Sequence, residues 1–127
     1  MIPNAFTAKE LLTAALLIPI LDTPWLLYQS QSSTTMFQQI QGGRPTQLRI
    51  LGAVPVYLAL AYLLLQQTSS LGAFLSGLCV YAVYDFTNLT VFRDYTLSFA
   101  IQDSIWGGVL FFLAYVIFKR VKKVFLQ

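Results

Sequence analysis

Four stretches of nearly unbroken apolar residues dominate the chain: about Leu11–Tyr28, Leu48–Leu65, Leu71–Phe92 and Tyr95–Phe118. Each has the roughly 17–25 residues a helix needs to cross the hydrocarbon of a bilayer. The short alternating segments of a membrane β-barrel are missing. The pattern predicts an all-α membrane protein, a four-helix transmembrane bundle in up-down antiparallel order, with one domain over residues 1–127. The first stretch has no strongly basic leader, and no small-x-small cleavage site follows Ile20, so it reads as a span and not a signal peptide.

The connections are unequal. Gln29–Gln47 is long, rich in Gln, Ser and Thr, and predicts a loop in which Met36, Phe37 and Ile40 touch the membrane interface. Gln66–Ser70 and Arg93–Asp94 are tight turns, which force antiparallel neighbours. Four spans put both termini on one side, together with Lys9, Lys119, Arg120, Lys122 and Lys123. The other side carries Arg44, Arg49 and Arg93. The positive-inside rule then predicts cytoplasmic N- and C-termini. The basic tail is most simply this topology signal, with attraction to anionic lipid as a secondary role.

Composition agrees with a membrane location. Of 127 residues 57% are hydrophobic and 10% charged, and mean hydropathy is +0.66; a soluble domain carries about 25% charged residues. Histidine is absent and Cys79 is the sole cysteine. Histidine-ligated haem, His-based zinc sites, Ser-His-Asp or Cys-His catalysis and a redox dithiol are therefore excluded. No cofactor is implied. Cys79 reads as a small packing residue in an apolar run. No basic patch interleaved with exposed aromatics points to nucleic acid.

Within the spans stand three acids, Asp22, Asp85 and Asp103. At 1.5 Å per residue each lies roughly 9–12 Å below the same end of its helix, so the three fall in one layer. Asn88 and Tyr81 share a helical face with Asp85, Trp106 and Gly107 share one with Asp103, and Gln102 is adjacent. Pro24 and Pro55 each free a carbonyl one turn back, at Ile20 and Leu51. A lone aspartate at a span centre costs about 2.5–3.5 kcal/mol, so three unpaired ones would cost on the order of 8–10 kcal/mol. They must be protonated, paired or cation-bound. Arg49 and Arg93 are the available counter-charges, and two arginines do not neutralise three carboxylates. At least one acid is therefore expected to hold or share a proton. Trp25, Trp106 and the tyrosines near span ends read as interface anchors.

The motifs Leu21-Asp22-x-x-Trp25-Leu26, Tyr81-x-x-Tyr84-Asp85-x-Thr87-Asn88-Leu89 and Asp103-x-x-Trp106-Gly107 resemble, in order and spacing, those of a family of small predicted membrane proteins, domain of unknown function 2177. The Tyr-Asp-x-Thr-Asn block is the most specific. The resemblance implies a multi-pass membrane protein and supplies no activity.

Three functions compete. The first is a transporter or channel for protons or small cations. Asp22, Asp85 and Asp103 would be its ion-binding or proton-relay groups and its candidate metal ligands. Asn88, Tyr81 and Gln102 would be neutral ligands, with Arg49, Arg93, Trp25, Thr87, Trp106 and Gly107 in support. Four helices leave little interior, so alternating access would call for a homo-oligomer. The second is a structural or assembly subunit of a larger membrane complex, with the polar layer as helix–helix glue. The third is an embedded enzyme using an aspartate pair. The Gly-x-Gly-Asp of intramembrane aspartyl proteases is absent, and the residues favour a non-enzymatic role. The partners expected are the lipid bilayer, protons or small cations, and no nucleic acid.

Overall fold

The computed structural model describes residues 3–127, which form four helices: α1 (Ala8–Ile40), α2 (Ile50–Leu65), α3 (Ser70–Val91) and α4 (Leu97–Phe125). Thr7 and Glu10 open α1 with a capping box. The Thr7 hydroxyl accepts from the Glu10 amide at 3.1 Å, and the Glu10 carboxylate accepts from the Thr7 amide at 3.2 Å. Two of the helix's free amides are satisfied in this way.

The long polar loop expected over Gln29–Gln47 is not there. Residues 29–40 continue α1, which has 33 residues and is about 50 Å long. This last third of the helix is held by packing. Met36, Phe37 and Ile40 sit against Tyr95, Phe99, Ala100 and Leu89, and such an apolar face stabilises a helix that its polar composition would not. The helix stops only before Gly42 and Gly43, whose φ angles of 69° and 89° lie in the region glycine enters without steric cost.

Three helices, α1, α3 and α4, are long and apolar enough to cross a membrane. The second expected span is shorter than its apolar run. Leu48 and Arg49 precede the helix, leaving α2 with 16 residues, about 24 Å against a hydrocarbon core of about 30 Å. The fourth starts late as well. Thr96 caps α4 by accepting from the Phe99 amide at 3.2 Å. Tyr95, expected inside the span, is buried in the turn before it. At its other end α4 carries the basic tail in helical form to Phe125.

Helix α4 is the centre of the bundle: α3 packs along one side and α1 along another, while α2 leans chiefly on α1. Glycines bring α3 and α4 together. A Cβ on Gly77 would overlap the Gly107 carbonyl, one on Gly107 would overlap the Tyr81 ring, and one on Gly108 would press into Phe74. Small residues at such contacts let backbones approach where no hydrophobic force drives helices together. The core between the helices contains Ala14, Ile18, Leu64, Leu110, Phe111 and Ala114. Large apolar side chains such as Leu16, Leu27, Val83 and Ile105 cover the outside. Cys79 is also exposed there, so it is not the packing residue expected. Lys122 of α4 pairs with Glu10 of α1 at 2.9 Å, and Asn4 bonds to Gln66 at the end of α2.

Candidate functional site

Asp22, Asp85 and Asp103 are all inside the bundle, 4%, 0% and 8% exposed. Asp22 and Trp25 are three residues apart on α1, as Asp103 and Trp106 are on α4, so each pair shares a face. Where the two faces meet, each indole reaches across to the other helix's acid. Trp25 Nε1 donates to Asp103 Oδ1 at 2.9 Å, and Trp106 Nε1 donates to Asp22 Oδ1 at 2.7 Å. The two rings stack with centroids 5.8 Å apart. The tryptophans are therefore not interface anchors. They form a reciprocal brace across the α1–α4 contact, built from two copies of Asp-x-x-Trp.

The remaining donors come from residues with no expected role in the layer. Tyr57 of α2 donates its hydroxyl to Asp22 Oδ2 at 2.7 Å. Tyr95 donates to Asp85 Oδ1 at 2.6 Å, and Ser104 to Asp85 Oδ2 at 3.4 Å. The Asp85 and Asp103 carboxyls are close enough to share a hydrogen bond. A hydroxyl in the aliphatic α2 run was the one sequence signal for Tyr57. Tyr95 could not be found while it was counted within a span.

The other expected site residues divide. Tyr81 packs over Gly107 and faces the acids. Asn88 lies within reach of the Tyr84 and Tyr95 hydroxyls, one step from Asp85. Gln102 is turned away and donates to Ser98 on its own helix at 2.8 Å. Thr87 is on the exposed face of α3. Arg49 and Arg93 are exposed and reach none of the acids, because each belongs to a helix end or turn at the surface; the only ion pair among the described residues is Lys122–Glu10. Nor do the three aspartates converge as metal ligands: among the described residues no group of three acidic, cysteine or histidine side chains could hold a metal ion. Ile20 and Leu51, whose carbonyls the prolines free, are on the outside of the bundle.

Beside the brace is a cavity of about 450 Å³ to which all four helices contribute. Asp22 and Asp103 form its acidic wall, and Trp25, Tyr57, Tyr81 and Tyr84 much of the rest. Gln29 lines it too, and its Oε1 is buried without a hydrogen-bond partner among the described residues. Asp85 stands behind Asp103, out of the cavity.

The profile of the family described as "Predicted membrane protein (DUF2177)" matches residues 7–118, and the chain belongs to that family. No curated protein and no solved structure matches the chain.

Proposed function

We propose that this integral membrane protein carries protons across the bilayer, with the Asp103–Asp85 pair as its exchanging group. One observation carries the reading: three carboxylates are buried in the bundle, and no basic side chain among the described residues reaches any of them. Burying bare charges in hydrocarbon is costly enough that such acids are usually functional. Two carboxyls at hydrogen-bonding distance need a proton between them. Without a convergent metal-ligand set, the proton is favoured over a small metal cation. The reading includes a four-span up-down bundle with cytoplasmic termini, in which residues flanking α2 complete its crossing.

The bonding order supplies a route. Asp103 borders the cavity, Asp85 lies behind it, and the Tyr95 hydroxyl follows at 2.6 Å in the α3–α4 turn. A proton entering from the cavity protonates Asp103. Asp103 then passes a proton to Asp85, and the Tyr95 hydroxyl turns to accept it from Asp85 while releasing its own proton toward the α3–α4 turn. Each transfer crosses one hydrogen bond, the reach proton transfer requires. Asp22 differs, since among the described residues it accepts from Trp106 and Tyr57 and shares no hydrogen bond with another carboxyl. That observation favours the second reading, a structural or assembly subunit, for this one acid.

Proteoliposomes under a pH gradient, read by a trapped pH dye, test the proposal. Wild type is expected to dissipate the gradient, and folded Asp85→Asn and Asp103→Asn variants are expected not to. Equal dissipation by all three, or none by wild type, sinks the carrier reading and leaves the structural one.

A further inference from the structure

We infer that the 450 Å³ cavity is a binding site for an organic ammonium ion, a molecule with one protonated amine and an aromatic or aliphatic body. The inference rests on the carrier reading only in naming what shares the site with protons. Size comes first. Small-molecule pockets run about 300–1,000 Å³, and this cavity falls inside that range.

Charge and hydrogen bonding select the ligand. The lining has two carboxylates, each more than nine-tenths buried, and no basic residue. Gln29 adds a buried acceptor that no group among the described residues satisfies. An unsatisfied buried acceptor is costly, so a ligand that donates there is favoured. An anion finds no partner, and an inorganic cation finds no converging ligand set. Aromatic faces do suit an ammonium attached to an organic body. Trp25, Tyr57, Tyr81 and Tyr84 line the space, and the faces of such rings attract a cation.

The chain reports on this site by itself, because its only two tryptophans are the stacked pair at the acids. The test titrates the full-length protein in nanodiscs with 4-phenylbutylammonium and with neutral 4-phenylbutan-1-ol, following tryptophan emission at pH 8. The amine is expected to saturate the signal with at least tenfold higher affinity than the alcohol and to be displaced by lowering the pH. Asp103→Asn is expected to weaken the amine at least tenfold. Val56→Phe, which narrows the cavity from its partly exposed α2 side and leaves every acid in the chain, is expected to do the same and decides the matter if the first variant misfolds. Equal affinity for amine and alcohol would make the cavity an apolar slot for lipid and overturn the inference, as would amine binding that survives Val56→Phe unchanged. Amine binding without proton flux in proteoliposomes keeps this inference and removes the carrier. Flux without amine binding does the reverse.

Discussion

Replacing either tryptophan of the brace with phenylalanine removes one hydrogen bond to a buried carboxyl and leaves an aromatic ring in place. Trp106→Phe deprives Asp22 of a 2.7 Å donor and leaves it Tyr57 alone; Trp25→Phe deprives Asp103 of its 2.9 Å donor. Removing one partner of a buried hydrogen bond costs about 1–3 kcal/mol, so each variant is expected to lose that much stability. The two rings also stack, and aromatic pairs contribute about 0.5–1.5 kcal/mol beyond their buried area. Residues in contact do not act independently, so the double variant should depart from the sum of the singles by about 0.5 kcal/mol or more. The assay is reversible unfolding of purified protein in mixed micelles by a denaturing detergent, followed by far-ultraviolet circular dichroism. Each single variant keeps one tryptophan, whose emission is a second probe. Two singles within about 0.5 kcal/mol of wild type, the ordinary range for an unimportant surface change, would show that the brace does not hold α1 to α4.

Other consequences are checked in the same way. Tyr95→Phe removes the short 2.6 Å bond to Asp85 and should destabilise clearly more than Ser104→Ala, which removes one of 3.4 Å; comparable losses would contradict that ordering. Gly77→Ala drives a methyl into the Gly107 carbonyl, whereas Gly52→Ala meets nothing within 4 Å. The first should cost about 1–3 kcal/mol by overpacking and the second should gain up to about 1 kcal/mol of helix propensity. Cys79 is expected to react in membranes with a lipid-soluble maleimide and not with a charged one, since it sits mid-α3 on the bundle exterior. Adding salt should weaken the Lys122–Glu10 pair, so Glu10→Gln is expected to cost under about 1 kcal/mol and less at high ionic strength.

Depth is readable from a membrane sequence to within about a turn, because the rise per residue is fixed and the apolar runs bound the spans even where, as at Tyr28 and Tyr95, they miss the helix ends. That is why Asp22, Asp85 and Asp103 could be assigned to one layer before any helix was placed. Rotation about each axis is less constrained. The sequence has Trp25 and Trp106 near polar residues, but an interface anchor and a donor to a facing carboxyl have the same local pattern. Only the antiparallel meeting of two Asp-x-x-Trp faces separates them. The tail of α1 was hidden for a different reason. Residues 29–40 lack the apolar periodicity that announces a helix, and what stabilises them is distant in sequence: Tyr95 and Ala100 packing on Met36. Arg49 and Arg93 were offered to the acids because both stand at span ends on the acids' side of the bilayer, but both project from ends that the fold turns outward.

The donors are shared unequally among the three acids, and asparagine scanning should separate a bracing acid from a working one. Asp22 accepts from both Trp106 and Tyr57. Asparagine there puts an amide N–H₂ opposite one of two donors, leaving unpaired hydrogens in the interior at about 1–3 kcal/mol. Asp103 accepts from Trp25 on one side and faces the Asp85 carboxyl on the other. Asparagine at that position can still accept from the indole and can donate its amide to Asp85, so the bonding is kept while the transferable proton is lost. The expectation is a split: Asp22→Asn loses stability, and Asp103→Asn stays within about 1 kcal/mol of wild type but carries no protons. Detergent unfolding and proteoliposome flux on the same two proteins measure both halves. If Asp103→Asn unfolds as readily as Asp22→Asn, all three acids are structural, and the missing counter-charge reflects protonated side chains acting as glue.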